Sequence, residues 1–77
     1  TLNVNALAPA LLFYNNLTEK LLTSQPVSRI HLEQAYIEMK SDACSETFSH
    51  ILFALSWLKL VQVHRGIVYF LETNLHL

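Results

Sequence analysis

From Pro9 onward, Ala10, Phe13, Leu17 and Leu21 recur at spacings of three and four, with Leu11, Tyr14 and Leu22 beside them. That period lays one apolar stripe along a helix. Pro9 suits its first turn, where the N–H that proline lacks has no intrahelical partner. The pattern predicts a first helix over about Pro9–Leu22. Thr23-Ser24-Gln25-Pro26 breaks it, and Pro26 disfavours helical geometry in Gln25. Ser28 is a candidate N-cap for a second helix over Arg29–Met39, its hydroxyl accepting from an orphan N–H. The apolar face of that helix is less regular: Ile30, Ala35, Ile37 and Met39, with Leu32 and Tyr36. Lys40-Ser41-Asp42 is the next break, and Ser41 or Asp42 can cap a third helix over about 43–60.

The third helix carries two stripes. Phe48, Ile51, Leu52, Leu55 and Leu58 form one; Phe53, Trp57 and Leu60 form a second, rotated away from it. A helix this apolar around its girth requires cover on both sides. After it, Val61 and Val63 alternate with Gln62 and His64, and Gly66, the only glycine, can supply the positive φ of a tight turn. Ile67 to Leu71 is an unbroken apolar run, which predicts a strand buried on both faces or paired along its outer edge. The reading is one domain, residues 1–77, without linker or repeat. Its class is mainly α with a C-terminal β-hairpin over 61–71: three helices followed by a two-stranded wing, the order of a winged helix.

Composition adds a second expectation. Hydrophobic residues are 52% of these 77 and charged residues 14%, against roughly 25% charged in an average soluble domain. A chain this short has too little interior for so many apolar side chains. The surplus is expected on the surface, as an interface for another protein. Phe53, Trp57, Leu60, Tyr69 and Phe70 are the candidate contacts. Five basic residues against six acidic ones give a net charge of -1, spread singly along the chain. No basic cluster of the kind that displaces counterions from phosphates is visible.

Candidate chemistry is sparse. His31, His50, His64 and His76 sit on different predicted elements, and none has the i, i+4 pairing of a helical metal site. Cys44 alone leaves no internal disulfide and fits a reducing compartment. As a nucleophile it would need a neighbouring base. Glu33, Glu38, Asp42 and Glu46 read as a solvated acidic edge, and no glycine-rich loop exists to cradle a phosphate. Neither a catalytic residue nor a cofactor or metal site is expected. The longest apolar run is interrupted by Ser49, His50, Ser56, Lys59 and Gln62, short of the roughly 20 residues of a membrane span. Leu2 to Leu12 lacks the basic start of a secretory signal. A cytoplasmic location is the expectation.

In a DNA-binding winged helix the third helix sets its N-terminal residues against base edges. Here that segment reads Ala43-Cys44-Ser45-Glu46-Thr47, with a carboxylate and no Arg, Lys, Asn or Gln. Arg65 at the wing tip, with His64, is enough for one phosphate contact only. Direct nucleic-acid binding is therefore not the favoured expectation.

Ser28 opening helix two, the segment Phe48 to Val61, and His64-Arg65-Gly66-Ile67-Val68 together resemble the small middle components of bacterial ABC-three-component systems. The resemblance covers about Leu11 to Leu71 and consists of apolar patterning rather than catalytic motifs. It implies a non-catalytic subunit joining an ABC or SMC-like ATPase to an effector, in a complex for anti-phage or anti-plasmid defence. The alternative is a winged-helix transcription regulator, a homodimer joined through helix one or the hairpin, with Arg65 on the phosphate backbone.

Overall fold

The computed structural model describes residues 2–40 and 44–71. The Asn3 side chain accepts from the Asn5 N–H at 3.0 Å and starts a 3-10 turn, Val4–Ala6, which leads into α1, Leu7–Glu19. This cap moves the helix start ahead of the expected Pro9, which still lies in the first turn. Ala10, Phe13 and Leu17 are buried as their spacing requires. Leu21 is not. Helix α1 stops at Glu19, and Leu21 takes a left-handed φ of 60°, which leaves its side chain 74% exposed.

A two-residue strand β1, Val27–Ser28, precedes α2, Arg29–Met39, whose bounds match the expectation. The Ser28 hydroxyl accepts from the His31 N–H at 3.3 Å, so Ser28 does cap the helix. The buried face of α2 is Leu32 and Tyr36, whereas Ile30 and Ile37, expected on that face, point to solvent. Tyr36 meets Phe13 edge-on with ring centroids 5.1 Å apart, and Phe48 lies 5.8 Å from Tyr36. These three rings join the three helices at the centre of the core, in the offset and edge-on geometries aromatic quadrupoles favour.

Helix α3 spans Ser45–Trp57 and buries Phe48, Ile51, Leu52, Ala54 and Leu55. Ser41 and Asp42, the expected caps, lie outside the described residues. The helix ends three residues before Leu60. Lys59 adopts φ 63°; its N–H donates to Ser56 O at 3.0 Å, and the Leu60 N–H donates to Leu55 O at 3.0 Å. That pair of bonds is a Schellman closure with lysine in the position glycine usually takes.

Strands β2, Val61–His64, and β3, Ile67–Phe70, form the expected hairpin. Arg65 and Gly66 make its two-residue turn with φ of 51° and 78°, both positive as a type I′ turn requires. A Cβ on Gly66 would meet nothing within 4 Å, so the demand for glycine comes from the backbone alone. The two expected wing strands are joined by a third. Strand β1 pairs antiparallel with β3, giving a three-stranded sheet in the order β1-β3-β2. Strand β3 is therefore paired along both edges, one of the two expected arrangements, while its outer face stays open at Tyr69. The Arg29 N–H donates to Gly66 O at 2.8 Å and ties the start of α2 to the wing turn. Three helices, with β1 between the first two and the β2–β3 hairpin after the third, give a winged-helix-like layout.

Candidate functional site

Phe53 and Trp57 stand one turn apart on α3, on the side away from the core stripe. They are 47% and 57% exposed. Beside them runs a shallow groove of about 260 Å³, lined by Ser49, Leu52, Phe53, Ser56 and Val63. Val63 was not among the expected contacts. Its alternation with Val61 assigns it to the core side of β2, but Val61 is buried and Val63, nearer the turn, is exposed.

The other expected contacts do not join this surface. Leu60 is a correction: only 8% exposed, it belongs to the core. The left-handed Lys59 turns the chain off the helix axis, so the stripe that includes Phe53 and Trp57 stops before Leu60. On β3, the register sets Val61 opposite Phe70, Gln62 opposite Tyr69 and Val63 opposite Val68. Because successive residues face opposite sides of a sheet, Phe70 turns inward with Val68 and packs, half-buried, against the core. Tyr69 is 39% exposed on the outer face beside Gln62. The five candidates thus fall in three places, and only Phe53 and Trp57 make one patch.

The polar surroundings are asymmetric. Arg29 Nη2 donates to Ser49 Oγ at 3.1 Å, and Nη1 lies 3.7 Å from Glu33 Oε1. The guanidinium also sits 5.4 Å from the Phe48 ring centre, a cation–π distance. Ser45 Oγ donates to Glu33 Oε2 at 3.0 Å. Arg29 is thereby committed to fastening α2 to α3. Lys59 and Arg65 remain at the two ends of β2, both exposed. From Thr47 to Leu71 the sequence has no Asp or Glu.

Cys44 is exposed, one residue ahead of α3. Its Sγ lies 3.2 Å from Thr47 Oγ1, and the Thr47 hydroxyl, then the Thr47 N–H, hold the thiol below its ordinary pKa. Among the described residues no three His, Cys, Asp or Glu side chains converge to hold a metal ion. A second groove of about 220 Å³ lies between α1 and α2, walled by Pro9, Leu12, Phe13, Tyr36 and Met39. It is smaller than the roughly 300–1,000 Å³ of small-molecule sites. No helix among the described residues is long and apolar enough to cross a membrane. The chain matches no protein-family model, no curated protein and no solved structure.

Proposed function

We propose that this domain is a non-catalytic interaction subunit that docks onto another protein through the Phe53–Trp57 face of α3. One observation carries the reading: two large aromatic side chains, one helical turn apart, stay open to solvent beside an apolar groove. Aromatic anchors flanking a groove are the usual centre of a protein interface. The sequence resemblance supplies the identity of the partners, an ABC or SMC-like ATPase and an effector of a bacterial anti-phage or anti-plasmid system. The test is co-purification with the products of the neighbouring reading frames. Trp57→Asp, at an exposed site, should keep the helical circular dichroism and lose the partner. Retention of the partner by this variant would dismiss the proposal.

A DNA-binding regulator is the competing reading, with Arg65 exposed at the wing turn as the feature in its favour. It requires duplex retention at low salt that Arg65→Ala weakens. The apolar character of the α3 face and the engagement of Arg29 with Glu33 and Ser49 favour the protein partner.

A further inference from the structure

We draw no further inference here: the strongest candidate, the outward face of α1 that exposes Val4, Leu11 and Leu12 opposite the core stripe of Ala10, Phe13 and Leu17, is an apolar surface for which nothing in the structure shows what covers it.

Discussion

Leu21 and Lys59 hold φ near 60° at the ends of two helices, where a left-handed residue with a Cβ costs roughly 1–2 kcal/mol. Each fixes where a helix stops. Leu21→Gly should therefore raise stability by about 0.5–1 kcal/mol, the strain relieved less the added freedom of the unfolded chain; the urea midpoint reads this. Lost stability would mean that the exposed leucine packs on something. These two residues also explain what could not be read from the sequence. Spacing arguments assume a helix that continues, and one left-handed residue moves Leu21 to solvent and Leu60 to the core without altering the pattern. The stripe Phe48, Ile51, Leu52 and Leu55, inside the helix, was legible for the same reason. Cys44 gives a second test at this scale. Its thiol is held below the ordinary value, chiefly by the Thr47 hydroxyl, so the thiolate persists to lower pH. The rate of alkylation should rise with pH about a midpoint lower than that of a free cysteine, and Thr47→Val should move that midpoint upward. A midpoint indifferent to Thr47 would refute the contact.

Among the elements, the hairpin and α2 were the clearest in the sequence, since glycine between β-branched runs and a serine cap are local signals. Strand β1 gave no such signal. Two residues cannot show alternation, and Val27–Ser28 earns its place only by pairing with β3, which lies about 40 residues later in the chain. The wing turn depends on Gly66, whose φ of 78° no ordinary side chain adopts comfortably. Gly66→Ala meets no steric obstacle, so its cost should be the backbone strain alone, about 1–2 kcal/mol. Thermal unfolding should register that loss, and the Arg29–Gly66 hydrogen bond should persist as slow exchange of the Arg29 amide. A much larger loss would point to a contact at Gly66 that the fold does not contain.

For the whole molecule, the apolar content exceeded what a small core can bury, and the sequence conveyed the surplus more readily than its location. Phe53 and Trp57 were legible as a face because four residues return to the same side of a helix. Tyr69 and Phe70 were not separable from them until the register put one outside the sheet and one inside. Val63 needed three-dimensional proximity to Phe53, which no spacing rule encodes. The molecule that results keeps its chemistry-bearing side chains apart and its aromatic pair outward, with cations at either end of the adjoining strand. Collisional quenching of the Trp57 fluorescence by acrylamide measures this most directly, first in the isolated chain and then in the assembled complex. An indole open to quencher alone and shielded on assembly is the expected result; one shielded from the start, or equally open in both, would contradict the account.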